Sequence, residues 1–157
     1  MLTGMLVLGV DPGSKGGFAL IGDGVAPLVW PMPETLTGLL AAMQERPRPD
    51  LAVIESVHAM PGQGVSSMFT FGRGFGQLEA LLAFKGLPVA YVTPQRWQKA
   101  VLGRLPGSEG KRAVIDWARQ QWPAVSLRRT ARCSTDSDGM ADALGIAFYG
   151  FKHLDWL

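Results

Sequence analysis

Four carboxylates lie at positions where the hydrophobic pattern predicts that a strand ends or a helix begins. Asp11 closes the apolar run at residues 5–10, and Glu55 closes the run at residues 51–54. Asp138 and Asp142 open a late apolar segment and, being four residues apart, would share one helix face. Clustered acids without matching cations are costly unless a hard divalent cation lies among them. The pattern therefore predicts metal-dependent phosphodiester hydrolysis.

The residue types indicate which metal ions the site would bind and which acids would bind each ion. Mg²⁺ and Mn²⁺ take oxygen ligands in an octahedral shell. Two such ions about 4 Å apart would clamp a scissile phosphate, activate water and stabilise the leaving 3′ oxygen. We expect Asp11 to bridge both ions, because the end of a central strand is rigid. Glu55 would share one ion with it, and Asp138 and Asp142 would bind the other.

Apolar runs and turn residues predict the elements that must position these acids. The predicted strands lie at residues 5–10, 18–21, 25–30, 51–55 and 88–92, and the predicted helices at residues 33–44, 65–85, 93–102, 111–122 and 138–151. Three antiparallel strands followed by strands that are joined through helices predict an α/β fold, a five-stranded mixed sheet flanked by helices. In such a sheet the first strand ends beside the fourth, which brings Asp11 next to Glu55.

The sequence also predicts which side chains pack in the core and which segment forms a loop. An apolar stripe at helical spacing runs along the long second helix and favours burial; it comprises Met68, Phe71, Phe75, Leu78 and Leu82. Trp97 and Trp117 are also assigned to the core. Residues 124–137 are basic, polar and weakly patterned, and we expect them to form a mobile loop before the last helix.

Length and composition place the chain among globular proteins. Its 157 residues predict a single domain over 1–157, with 47% hydrophobic and 18% charged residues. No run of about 18 apolar residues is present to span a membrane, and the first residues look like a strand rather than a secretory signal. Cys133 is the only cysteine, which excludes an intrachain disulfide and a thiolate-built zinc site. We therefore expect a reducing, cytoplasmic setting.

The net charge of +2 conceals an asymmetry along the chain. Residues 94–132 contain nine basic and two acidic side chains, a net charge of +7, which leaves −5 for the rest. A basic block beside an acidic site suits a protein that binds a polyanion. The alternative interpretation is an ordinary solvated helix face.

Several sequence blocks carry a resemblance to a known family. The blocks that contain the acids are residues 8–17, 52–56 and 138–147, and further blocks are found at residues 60–69, 71–76 and 93–99. In this order and spacing the chain resembles the RuvC-type Holliday junction resolvases of the RNase H-like superfamily, over about residues 4–150. The second group of blocks looks more like the phage and chloroplast branch.

The resemblance implies a magnesium- or manganese-dependent endonuclease with two ions per active site. Its metal ligands map onto Asp11, Glu55, Asp138 and Asp142. The late acids are four residues apart, as in the phage-like branch, whereas the bacterial pattern has three; Asp136 is a substitute for Asp138. Such enzymes are homodimers that cut a four-way DNA junction symmetrically, leaving 5′ phosphate and 3′ hydroxyl ends. The expected setting is the cytoplasm of a bacterial or phage-infected cell.

Further residues are candidates for contacting DNA. Glycines at positions 62–76 allow close backbone approach to a phosphate or base edge, and Phe69 could stack on an unpaired base. Lys15 and Lys111 are candidates to support the transition state. The predicted DNA-binding residues are Gln63, Ser66, Ser67, Phe69, Arg73, Arg96, Lys99, Arg128, Arg129 and Arg132. His58 and His153 lack metal-pair spacing, so neither is assigned a role.

Other function classes compete with junction resolution. The same fold could cut other branched DNA or RNA–DNA hybrids, because the metal chemistry is common to all of them. A non-catalytic DNA-binding module is the second alternative, although phosphate binding alone would favour loss of the four acids. An actin-like or sugar-kinase-like ATPase shares the strand–Asp–x–Gly pattern, but it needs two such domains and a second Asp-x-Gly motif, which this chain lacks.

Overall fold

Five strands form one mixed sheet in the computed structural model, which describes residues 4–58, 62–105 and 107–153. The strands are β1 (Leu6–Asp11), β2 (Gly17–Gly22), β3 (Leu28–Pro31), β4 (Leu51–Glu55) and β5 (Val89–Val92), and their order in the sheet is β3-β2-β1-β4-β5. The first three strands pair antiparallel, whereas β4 runs parallel to β1 and β5 runs parallel to β4. The predicted α/β fold is confirmed.

Five helices in the described part of the chain cover the two faces of the sheet. They are α1 (Leu36–Gln44), α2 (Val65–Phe84), α3 (Pro94–Leu102), α4 (Gly110–Gln121) and α5 (Asp138–His153). Helix α2 ends at Phe84, and Lys85 is its C-cap. Gly86 follows with a left-handed φ of 63°, so the predicted end at residue 85 is confirmed to within one residue. No helix among the described residues is long and apolar enough to cross a membrane.

Two predicted boundaries are wrong by a few residues. Helix α1 begins at Leu36 rather than at residue 33, because Thr35 is extended and its side chain accepts a hydrogen bond from the Gly38 N–H. Strand β3 begins at Leu28 rather than at residue 25. Pro27 has no N–H to donate to the sheet, which is consistent with pairing that starts only after it.

Each face of the sheet has its own hydrophobic core. Side chains of α3, α4 and α5 pack on one face, and side chains of α1 and α2 pack on the other. Helix α5 lies directly on β1: a Cβ atom at Gly9 would lie 2.2 Å from the carbonyl oxygen of Ala143. This close approach brings the acidic start of α5 against the end of the central strand.

The segment at residues 124–137 contains no helix or strand, as predicted, yet it is held to the body of the protein. Leu127 is only 3% exposed within the core. The Arg129 guanidinium donates to the carbonyl oxygens of Ser14, Gly16 and Met32 at 3.1–3.5 Å. These contacts attach the segment to the turn between β1 and β2, which is more than a loose loop would show.

Candidate metal and nucleic-acid site

Asp11 and Glu55 lie side by side at one edge of the sheet. In the parallel pairing of β1 with β4, Val10 lies opposite Ile54, so the two acids are the next residues on neighbouring strands. The Asp11 Oδ2 atom would lie 3.0 Å from a Cβ at Gly139, in the first turn of α5. Three elements that are distant in sequence therefore meet at the carboxylates that the sequence predicted.

The start of α5 is fixed by two residues that the sequence analysis did not single out. The Ser137 hydroxyl accepts a hydrogen bond from the Met140 N–H at 3.3 Å, as an N-cap residue does. Gly139 allows the helix to touch the β1–β2 turn, because a Cβ there would lie 2.2 Å from the Lys15 carbonyl oxygen and 2.7 Å from the Gly16 Cα. The segment Ser137-Asp-Gly, a capping residue before a small one, was the available signal.

We expect Gly139→Ala to destabilise the protein by about 1–3 kcal/mol, the usual cost of forcing extra volume into a packed site. The added methyl group would meet backbone atoms of the turn, which cannot rotate away. Urea unfolding measures the change. Gly110→Ala is the matched control, since nothing lies within 4 Å of a Cβ at that position; equal stability of the two variants would contradict the close contact.

Burial and mutual repulsion perturb the acids of the cluster. Burial, together with the charges of Asp142, Glu55 and Asp138, raises the pKa of Asp11 from 3.8 to about 8. Burial and the charges of Glu55 and Asp138 raise the pKa of Asp142 to about 7. The predicted repulsion is thus present, and it falls most heavily on the two most enclosed acids.

Glu55 differs from those two because it has a hydrogen-bond donor. Burial raises its pKa above the ordinary value, and a hydrogen bond from the Trp97 indole opposes that rise. The Trp97 Nε1 atom donates to Glu55 Oε2 at 2.6 Å, and the Trp97 side chain is fully buried. The assignment of Trp97 to the core is confirmed, but its polar contact with the site was missed.

The late acids are distinguished by their partners. The Lys111 ammonium forms an ion pair with Asp138. Partial burial works against ionisation of Asp138, yet this ammonium outweighs it and holds the pKa of Asp138 below its ordinary value. Asp136 instead pairs with Arg119 on α4 at 2.6 Å. Only Asp138 of the two has a charge that raises the pKa values of Asp11 and Asp142, so it is the fourth acid of the cluster, and Lys111 lies at the site with it.

The donor set fits a hard divalent cation in its chemistry. All four acids offer oxygen atoms, which Mg²⁺ and Mn²⁺ prefer, and a bound cation would relieve the burial and mutual repulsion that raise the pKa values of Asp11 and Asp142. In the side-chain arrangement shown, no three of the described His, Cys, Asp and Glu residues converge closely enough to hold a metal ion. Ligation would thus require side-chain rotation, and Asp138 would have to exchange Lys111 for the metal.

A groove of about 1350 Å³ lies between the β1–β2 turn and α2; its lining begins at Gly13 in the turn after Asp11 and includes none of the four acids. Its lining includes Lys15, Arg73 and Arg129, together with Ser66 and Ser67. The Phe71 ring also lines the groove and approaches Gly13 of the turn. The groove gathers basic and hydroxyl side chains that suit a phosphate backbone.

The other predicted DNA-binding residues are dispersed. Phe69 is 71% exposed on α2, and Gln63 is exposed just before that helix. Arg96 lies over the Tyr149 ring at 6.0 Å. Lys99, Arg128 and Arg132 are exposed and form no ion pair within the described part of the chain. Of the motif at residues 60–69, positions 60 and 61 lie outside the described residues.

Comparison with solved structures identifies the fold. Thermus thermophilus RuvC in complex with a Holliday junction substrate matches with a TM-score of 0.62 and 18% identity, over 91% of this chain and 90% of that one. The fowlpox virus Holliday junction resolvase matches with a TM-score of 0.59 and 17% identity, over 96% of this chain and 100% of that one. Neither a protein-family model nor a curated protein sequence matches. The chain has the RNase H-like fold that RuvC and the poxvirus Holliday junction resolvases share.

Proposed function

We propose that this protein is a divalent-metal-dependent endonuclease that resolves four-way DNA junctions by paired, symmetric cuts. The observation that carries the proposal is the acid cluster. Asp11, Glu55, Asp138 and Asp142 come from three separate elements and influence one another's ionisation at one edge of the sheet. A structural role would not favour packing four carboxylates there, since each buried charge costs free energy.

In this proposal Asp11, Glu55, Asp138 and Asp142 would hold Mg²⁺ or Mn²⁺. Bound metal would polarise the scissile phosphate and lower the pKa of the attacking water. The rigid strand ends fix Asp11 and Glu55, and Gly139 keeps the start of α5 within reach of Asp11. Lys111, once released from Asp138, would offer its ammonium to the developing negative charge.

The groove supplies the route by which DNA would approach. Lys15 lies in the turn directly after Asp11, and Arg73 lies across the groove on α2. Cations at these positions would bind phosphates without reading base sequence. Ser66 and Ser67, which also line the groove, would add hydrogen bonds to the phosphates.

The proposed test compares cleavage of a labelled, immobile four-way junction with cleavage of a linear duplex, a three-way junction and an RNA–DNA hybrid of matched sequence. Each substrate is incubated with Mg²⁺, Mn²⁺ or a chelator. Paired nicks at symmetric positions, in the four-way junction and only with metal, would support the proposal. Preferential cutting of another substrate would indicate a nuclease whose substrate is that molecule and not the four-way junction. Binding to the junction without cutting in either metal would indicate a binding module.

Symmetric cutting requires two active sites, and α2 offers a surface for a homodimer. Phe69 is 71% exposed and Phe84 is 90% exposed. Between them run small exposed residues at helical spacing; they are Gly72, Gly76, Ala80 and Ala83. Small side chains allow two helices to approach closely, and large apolar ones at both ends would then be buried. We propose that α2 of two protomers pack together along this surface.

We expect Ala80→Arg to convert the proposed dimer to a monomer, because a long charged side chain would be forced into a close helix contact. Sedimentation analysis would show about half the mass, and paired cutting of junctions would be lost. Ala26→Arg, in the exposed turn before β3, is the control and should leave the mass unchanged. A dimer that survives Ala80→Arg would place the interface elsewhere.

A further inference from the structure

We propose that Trp97 is a positioning residue that holds the Glu55 carboxylate in the orientation needed for divalent-metal binding. The inference rests on the proposed metal-dependent function and assigns a further residue to the same site. It starts from one contact, the 2.6 Å hydrogen bond from the Trp97 Nε1 atom to Glu55 Oε2.

In this contact Trp97 is the hydrogen-bond donor and the Glu55 carboxylate is the acceptor. An indole N–H only donates, so it pairs best with an ionised carboxylate oxygen. The hydrogen bond to Oε2 restricts rotation of the carboxylate, while Oε1 and the second lone pair of Oε2 stay available to a cation. Partners of metal ligands typically orient them in this way, and their loss lowers metal affinity by about 10- to 100-fold.

Trp97 itself has no freedom to move. Its side chain is fully buried, and a Cβ atom at Gly145 would lie 2.6 Å from its Cζ3 atom. Gly145 lies on α5, three residues after Asp142. The indole is therefore clamped against the helix that carries the late acids while it donates to the acid of β4.

The placement follows from the sheet register. Glu55 lies opposite Val92 in the parallel pairing of β4 with β5. Helix α3 begins two residues after Val92, and the Trp97 backbone N–H bonds to the Thr93 carbonyl oxygen in its first turn. Trp97 thus links β4, β5 and α5 at the edge where the acids meet. An apolar core residue at this position would leave Glu55 Oε2 without this donor.

The test uses Trp97→Phe, which keeps an aromatic ring and removes the indole N–H that donates to Glu55. Mn²⁺ affinity is measured by electron paramagnetic resonance without DNA, and junction affinity is measured in a chelator. We expect the Mn²⁺ dissociation constant to rise about tenfold or more, with junction affinity unchanged within about twofold. Trp117→Phe is the matched control: Trp117 packs edge-on against Trp122 and Phe148, and its replacement should leave Mn²⁺ affinity unchanged.

A second measurement leaves Trp97 in place, so that failure of Trp97→Phe to fold does not decide the matter. In ¹⁵N-labelled protein the indole N–H resonances are recorded for the wild type and for Glu55→Gln, which exchanges the charged acceptor for a neutral amide. We expect one indole resonance to shift strongly in Glu55→Gln and also upon addition of Mg²⁺.

The outcomes separate this inference from the proposed function. Wild-type Mn²⁺ affinity in Trp97→Phe, or an indole spectrum that Glu55→Gln leaves unchanged, would overturn the positioning role. Metal binding that depends on Trp97, in a protein that cuts no junction, would uphold the positioning role and reject junction resolution. Absence of Mn²⁺ binding by the wild type would overturn both.

Discussion

Asp11→Asn is expected to reduce junction cleavage by about a thousandfold or more while leaving junction binding intact. Asp11 is a proposed metal ligand at the end of the central strand, and a metal ion that stabilises transition-state charge contributes several kcal/mol, of which each 1.4 kcal/mol corresponds to a tenfold change in rate. An amide oxygen carries no charge and binds a hard cation less well than a carboxylate does. Single-turnover cleavage in Mg²⁺ measures the loss.

The control for this variant is Asp23→Asn, which changes an exposed acid in the turn between β2 and β3. Its cleavage rate should match that of the wild type. Junction affinity, measured in Ca²⁺ or in a chelator, should stay within about twofold for both variants. Cleavage by Asp11→Asn at more than a tenth of the wild-type rate would remove Asp11 from the centre of the site.

The metal-free protein is expected to lose stability as the pH rises from about 4 to about 8. Asp11 has a pKa of about 8 in the folded state against 3.8 for the free side chain, and Asp142 has a pKa of about 7. Between these values the folded state binds more protons than the unfolded state, so raising the pH favours unfolding. Each such group contributes a slope of up to about 1.4 kcal/mol per pH unit. Thermal melting in a chelator at pH 5 and at pH 8.5, at fixed protein concentration, measures the effect.

Two changes, replacement of Asp11 and addition of Mg²⁺, should remove this loss of stability at high pH. Asp11→Asn should melt higher than the wild type at pH 8.5 without metal, by about 5–10 °C for a gain of 2–3 kcal/mol in a chain of this size, and the difference should shrink at pH 5. Mg²⁺ at a hundredfold excess over its dissociation constant should stabilise the wild type by about 2.7 kcal/mol. Asp23→Asn should show neither effect. If Asp11→Asn melts lower than the wild type at pH 8.5, Asp11 is a stabilising residue and the repulsion argument fails.

The two predictions for Asp11→Asn have opposite signs, because one is a loss of cleavage activity and the other is a gain in stability of the metal-free protein. Replacement of Asp11 should abolish the proposed activity and at the same time stabilise the metal-free fold. A residue retained for packing would show destabilisation on replacement, and a residue without function would show neither effect. The pair of measurements therefore separates a functional acid from a structural one.

The sequence by itself determined the strand ends and the acids that lie on them. Hydrophobic runs that stop at Asp11 and Glu55 define buried strands, and a strand order in which the fourth strand returns beside the first brings both acids to one edge. The four-residue spacing of Asp138 and Asp142 places both on one face of α5. These features follow from local periodicity and short connections, which a single sequence carries.

Only the tertiary structure decided how these side chains are paired. Trp97 donates to Glu55 across 42 positions of sequence, and Arg129 reaches the Gly16 carbonyl across 113. Asp138 rather than Asp136 lies close enough to act on Asp11 and Asp142, and the two acids meet different cations, Lys111 and Arg119. Such contacts depend on helix docking and on side-chain rotamers. Neither leaves a periodic trace in the sequence, because each is settled by the close packing of elements that are remote along the chain.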